Sequence, residues 1–266
     1  MKKVVPSIRI FINGAWLAYI GLFNWTTPAA YTASKILMPL ASIIFFTFLG
    51  ISATGSDSAE FYIIGNSLQI AAINGIYGVT MSVGQERNNG TLIYILGTPA
   101  NRLVIFLGRA FFHIIDGMIA VVFGFFWGVA LLGLDLSGAN LPGLALTILI
   151  ATWGVCGLGL LMGSISLMTL NVMFINNTVY FLLLLFSGAN IAISKLPAWM
   201  QKISELLPLS RGITAARELV SGANLTEVSD LLIGEILIGG FYALVGFSMF
   251  AWFEIQAKRR GTLEAF

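Results

Sequence analysis

The sequence predicts an all-α membrane protein with six transmembrane helices. Three observations carry that expectation. Hydrophobic residues make up 58% of the chain and charged residues 10%, with a mean hydropathy of +0.90, a balance foreign to water-soluble globular folds. Apolar runs near the ~20 residues needed to cross a ~30 Å hydrocarbon layer recur along the chain. Turn and breaker residues such as SATGSDS (52–58) and DLSGAN (135–140) fill the gaps between them.

Taken in order, the first stretch, Ile8 to Trp25, carries one charge and could be mistaken for a seventh span. Charge placement arbitrates. With six spans and both termini cytoplasmic, Lys2, Lys3, Arg9, Lys35, Arg87, Arg102, Arg109, Lys258, Arg259 and Arg260 fall inside. Lys195, Lys202, Arg211 and Arg217 fall outside, a tally of ten against four. A spanning first stretch would make it seven against seven, contrary to the positive-inside bias. Residues 1–30 are therefore expected to form an interfacial helix with Trp16, Tyr19 and Trp25 at headgroup level and Pro28 as the break. The spans of the domain at 31–266 are read as Ile36 to Ile51, Phe61 to Val83, Leu103 to Leu134, Leu141 to Leu170, Val172 to Ile193 and Leu231 to Phe253. The single cysteine, Cys156, lies in an apolar run, and the single histidine, His113, cannot hold a metal alone, so neither a disulfide framework nor a metal site is expected.

Polar residues inside spans are costly against lipid, so each needs a reason. Asn66, Gln69, Asn74 and Tyr77 in the second span fall within an arc of about 140°, and Asn176, Tyr180, Ser187 and Asn190 in the fifth within about 80°. Two readings stand: a cavity for an amphipathic solute, or hydrogen bonds that hold the bundle together. Arg109, His113 and Asp116 share one face of the third span at i, i+4 and i+7. Neutralisation of Asp116 by Arg109, with His113 between them, is expected over a proton relay.

The loop 84–102 is cytoplasmic in this topology. It offers the pair Glu86 and Arg87, a hinge at Gly90 and a short helix from Thr91 to Leu96 closed by Gly97 and Pro99. Outside, residues 194–230 hold Pro197, Trp199, Pro208, Arg211 and Arg217 in two short helical runs. These are expected as re-entrant or interfacial half-helices forming an outer gate.

Glu86, Gly90-Thr91-Leu92, Thr98-Pro99, Arg102 and Gly108-Arg109 resemble the E-x-x-x-G-T-L…T-P…R…G-[KR] signature of the ABC type-2 exporter permeases. Leu196-Pro197, Leu207-Pro208-Leu209-Ser210-Arg211-Gly212-Ile213, Ala216-Arg217 and Gly222 are similar to that family's segment before the last span. Ile93 and Ser210 depart from it, at positions where relatives carry an acidic residue and threonine. The resemblance implies a permease in the cell inner membrane, a homo- or heterodimer with two copies of a separate ABC ATPase. Glu86, Arg87, Gly90, Thr91, Leu92 and Leu96 would form its coupling helix. No G-x-x-x-x-G-K-[ST] loop occurs here, so ATP and Mg belong to the partner and this chain carries no cofactor and no catalytic residue. Nothing points to nucleic acid. The expected cargo is an amphipathic antibiotic, peptide or drug-like compound. A polysaccharide or lipid-linked glycan, or a passive channel or scaffold, stays open as an alternative.

Overall fold

A computed structural model of the chain describes residues 4–22, 27–88, 90–91, 94, 97, 101–167 and 171–260. Helix α1 (Val4–Leu22) precedes α2 (Pro28–Thr54). Next, α3 (Ala59–Ala72), a π-helical turn (Ile73–Gly78) and α4 (Val79–Asn88) form one uninterrupted rod. Helices α5 (Arg102–Leu132), α6 (Leu141–Ser166), α7 (Val172–Phe186), α8 (Ala198–Leu206), α9 (Ser210–Val220) and α10 (Ser229–Arg260) follow. No strand occurs among the described residues. Four of these helices, α2, α5, α6 and α10, are long and apolar enough to cross a membrane, and α7 is a shorter apolar helix. The chain is an all-α membrane protein.

Local chemistry sets the helix ends. Thr27 caps α2, its hydroxyl accepting from Ala30 N–H at 3.2 Å, and Pro28 occupies the first turn, where its missing N–H costs nothing. Asn140 caps α6 in the same way through Gly143 N–H (3.0 Å). Pro39 lies inside α2 and opens its hydrogen-bond ladder. The indole of Trp127 from α5 donates to the Ile36 carbonyl, in the turn before Pro39, at 3.0 Å and so ties α5 to α2.

Helix α6 is the hub, packed against α3, α4, α5, α7, α9, α10 and the π turn. Its glycines permit this. A Cβ on Gly159 would come within 1.9 Å of the Gly75 carbonyl oxygen in the π turn, and one on Gly157 within 2.2 Å of the Gly239 carbonyl oxygen in α10. Backbones therefore meet directly, as small residues allow in membranes. Helix α1 docks along the start of α5, where Gly108 lies against the Phe11 backbone and the Phe11 and Phe111 rings meet at a tilt, 5.4 Å between centroids.

Several expected boundaries move. The second apolar segment continues as helix to Asn88, so Gly84, Glu86 and Arg87 belong to α4 and not to a loop; one glycine costs a helix only ~1 kcal/mol. The chain turns instead at Gly90, whose φ is +68°. Gly133 (φ +71°) ends α5 soon after Leu132, and Gly188 (φ +82°) follows the end of α7 at Phe186. Conversely α10 runs on to Arg260, beyond the apolar limit at Phe253.

Replacing Gly159 by valine is expected to lower the melting temperature of the detergent-solubilised protein sharply, at or above the top of the ~1–3 kcal/mol usual for overpacking. Gly240→Ala, where an added Cβ meets nothing within 4 Å, should be neutral or stabilising in the same assay. Equal melting temperatures for Gly159→Val and wild type would contradict the backbone contact.

Candidate functional site

The polar residues assemble into three groups. In the first, Lys35 of α2 places its Nζ 2.6 Å from Asp116 Oδ2 and 2.6 Å from Asn74 Oδ1. The Tyr31 hydroxyl donates to the other Asp116 oxygen. Both partners of the ion pair are largely shielded, their side chains 12% and 5% exposed. Arg109, His113 and Asp116 do share the buried face of α5, but Arg109 does not neutralise Asp116. Its Nη1 donates to the Ser82 carbonyl in α4 at 2.5 Å. The physical reason is reach: seven residues separate the two by about 10 Å along a helix, while Lys35 approaches from the adjacent helix. His113 packs between them against Gly78, where a Cβ would meet its Nδ1 at 2.5 Å.

The second group lies between the rod and α7. Asn66 Nδ2 donates to Asn190 Oδ1 (3.0 Å), Ser187 Oγ to Gln69 Oε1 (3.0 Å), and the Tyr77 hydroxyl to Asn177 Oδ1 (2.6 Å). Tyr77 and Tyr180 meet edge to face at 6.1 Å. The two expected polar faces thus close on one another as an antiparallel seam. Asn74 leaves the set for Lys35, since its arc is too wide for a single neighbour. Ser187 and Asn190 act from the turn after α7 rather than from its helical face. Asn176 is fully buried, and neither its amide oxygen nor its nitrogen has a hydrogen-bond partner among the described residues.

The third group organises the segment before α10. Helix α8 is largely exposed, with Pro197 at its start, Trp199 63% and Leu206 68% accessible. By contrast, α9 is packed into the bundle. Its Ile213, Ala215, Ala216 and Leu219 are fully buried, and it contacts α3, α6 and α10. After Pro208 the backbone reverses at Leu209, which adopts φ +81°, a conformation costly for a branched side chain. The carboxylate of Glu235 in α10, fully buried, accepts from the N–H groups of Leu209 and Gly212 (3.4 Å). It satisfies orphan donors at the start of α9 and faces the positive end of its dipole. Arg211 donates to the Glu205 carbonyl at 2.6 Å. Arg217 reaches the carbonyls of Phe61 (3.0 Å), Gly188 (2.9 Å) and Ala189 (3.3 Å), with its guanidinium 3.5 Å above the Phe61 ring. One side chain therefore joins α9, the start of the rod and the turn after α7.

Sequence reasoning missed Glu235 and the role of Lys35. Glu235 was findable as the one acidic residue in the apolar run 231–253. The charge tally assigns Lys35 to the cytoplasmic side, whereas the structure pairs it within the bundle. With Lys35, Arg109 and Arg217 engaged internally, eight cations compare with three, so the bias keeps its sign. The side chains of Glu86 and Arg87, and all of Leu92 and Leu96, lie outside the described residues; Gly90 and Thr91 come shortly after α4, which ends at Asn88.

Comparison with known proteins decides what kind of membrane protein this is. The family model for ABC-2 type transporters matches residues 16–220, from α1 to the end of α9. The chain belongs to the ABC-2 type transporter family. Among curated relatives it is 26% identical over 192 residues to a daunorubicin resistance ABC transporter permease protein of Streptomyces coeruleorubidus, covering 70% of this chain and 67% of that protein. ABC-2 membership makes the chain a transmembrane component that associates with an ABC ATPase, as the signature residues implied.

Two outcomes test this geometry. Asp116→Asn alone should destabilise the solubilised protein by about 3–5 kcal/mol, because it strands Lys35 in a low-dielectric site, whereas Lys35→Met combined with Asp116→Leu should recover most of that loss. Additive losses in a thermal-melt cycle would show that the two do not act as a pair. Glu235→Leu should cost about 1–3 kcal/mol and make a cysteine at Ala215 reactive toward a small thiol reagent. Protection unchanged from the Glu235 parent would remove the capping role.

Proposed function

We propose that the chain is the permease subunit of an ABC exporter that carries an amphipathic, drug-like compound outward, with hydrolysis on a separate ATPase bound in two copies. The observation that carries this reading is the family match over 16–220, together with a relative named for daunorubicin resistance. In this reading six segments cross the inner membrane, the rod and α7 joining the four long helices, with both termini cytoplasmic and a second permease subunit completing the translocation path. ATP and Mg reside on the partner.

The ATPase contact is the end of α4 and the residues after it: Glu86, Arg87, Gly90, Thr91, Leu92 and Leu96. Because α4 is continuous with the rod, force applied at Glu86 reaches the π turn without slack. That turn touches α6 through Gly75 and His113 of α5 through Gly78. A push at the loop therefore moves the seam of Asn66, Gln69 and Tyr77 against Asn190, Ser187 and Asn177. Opening that seam exposes amide and phenol groups suited to an amphipathic solute without a fixed charge. Asn176, buried with both amide atoms unpartnered, is positioned to join such a lining. At the other end, Pro197, Trp199, Pro208, Arg211 and Arg217 bound the exit, held by Glu235 and the carbonyls that Arg217 grips.

The deciding experiment uses the permease purified with its ATPase and reconstituted in vesicles, with daunorubicin as the probe. Glu86→Ala, which loses a charged contact, and Leu92→Asp, which puts a charge on an apolar docking ridge, are expected to insert normally, yet each to lower drug export per ATP hydrolysed by roughly tenfold. Full export by both variants with unchanged ATPase binding would overturn the coupling assignment. Wild-type vesicles that hydrolyse ATP but move no daunorubicin would redirect the cargo toward glycans.

A further inference from the structure

Helices α5, α6 and α10 enclose an apolar pocket of about 340 Å³, bounded by Phe106, Trp153, Leu160, Gly240, Phe247 and Phe250. That volume falls within the range of small-molecule and lipid sites. The hollow exists because α10 presents glycine at position 240, where a Cβ would meet nothing within 4 Å. Phe106 and Phe250 meet edge to face on its wall, 4.4 Å between centroids. Polar groups on its wall are few: the Ser164 hydroxyl is spent on the Gly246 carbonyl at 2.6 Å, and the Trp153 indole N–H is buried without a partner among the described residues. The rest of the wall is hydrocarbon and aromatic, which suits an acyl chain.

Its axis matches one lipid leaflet. From Gly240 to Phe250 the helix rises about 15 Å, half of a ~30 Å hydrocarbon layer. Another nine residues, about 13 Å, lead from Phe250 to Arg259, within the run Lys258-Arg259-Arg260 that ends α10. Arg259 is exposed. At the same end, α5 begins at Arg102, four residues before Phe106. An apolar slot one leaflet deep thus lies directly inward of a cluster of cationic positions, and such pairings recruit anionic lipids.

We propose that this pocket is a binding site for an anionic phospholipid, one acyl chain in the hollow beside Trp153 and Phe250 and the phosphate headgroup at the basic terminal turn of α10. The site lies away from the seam between the rod and α7, so it acts as a lipid anchor of the α5–α6–α10 unit and not as part of the cargo path.

Native mass spectrometry of the purified protein, supplied with phosphatidylglycerol or phosphatidylcholine of equal chain length, tests this. The wild type should retain phosphatidylglycerol preferentially. Gly240→Leu, which fills the hollow, should abolish retention. Lys258→Gln/Arg259→Gln/Arg260→Gln should weaken phosphatidylglycerol by about fivefold per charge removed while leaving phosphatidylcholine unchanged. In parallel, vesicles of each lipid brominated on the acyl chain should quench the fluorescence lost in Trp153→Phe, and more strongly for phosphatidylglycerol. Equal retention and equal Trp153-dependent quenching for the two headgroups, or wild-type retention by a folded Gly240→Leu variant, would overturn the site.

Discussion

Hydrocarbon offers neither donors nor acceptors, so most polar groups that this bundle carries into the membrane are answered by protein, Asn176 being an exception. Much of the architecture follows from that requirement. Asp116 and Lys35 each demand a partner, and their pairing, extended by Tyr31 and Asn74, ties α2 and α5 to the π turn. Even the backbone obeys it. The Ile36 carbonyl next to the Pro39 turn receives an indole N–H from Trp127, and the free amides at the start of α9 receive the Glu235 carboxylate. Arg217 answers three carbonyls where α7 has ended and α3 begins. These side chains are fasteners between elements distant in sequence, and each joins segments that a mechanical cycle would have to move together.

Close packing supplies the complementary constraint. With lipid outside, burial of apolar surface gives helices little reason to associate, and contact quality decides. The glycines of α6 bring its backbone against those of the π turn and α10, which makes it the fixed axis of the bundle. The rod crosses that axis at the π turn, where one extra residue per turn widens the helix, and such turns recur at functional positions. A rigid lever with a local defect at its fulcrum suits the transmission of movement from one membrane face to the other.

The seam between the rod and α7 differs in kind from the ion pair. Its three hydrogen bonds join neutral groups, and interhelical bonds of this sort average only ~0.6 kcal/mol each. Such a seam holds the rod and the α7 region together without locking them. The buried charges, by contrast, are expensive to separate and stay together. A division into cheap and costly polar contacts therefore marks which surfaces of the bundle are free to part and which are not.

The sequence by itself determined the class of the protein. Composition fixed the solvent, the spacing of breakers fixed the apolar segments, and the motifs at Glu86–Arg109 and Leu196–Gly222 pointed to the family later matched over 16–220. Helical periodicity also placed Arg109, His113 and Asp116 on one buried face, because i, i+4 and i+7 is a local property. Partnership is not local. That Lys35 answers Asp116, that Arg109 turns to Ser82, and that Asn66 and Gln69 meet Asn190 and Ser187 all depend on which helices lie side by side. Helix starts were legible only where a breaker announced them, as at Pro28 and after the DLSGAN run ending at Asn140; α4 ran on past Gly84 because neighbouring helices outweigh the modest propensity of one glycine. Glu235 shows the limit most clearly: its type and place in an apolar run were visible, but only the tertiary fold brings the start of α9 to it, 23 to 26 residues away in the chain.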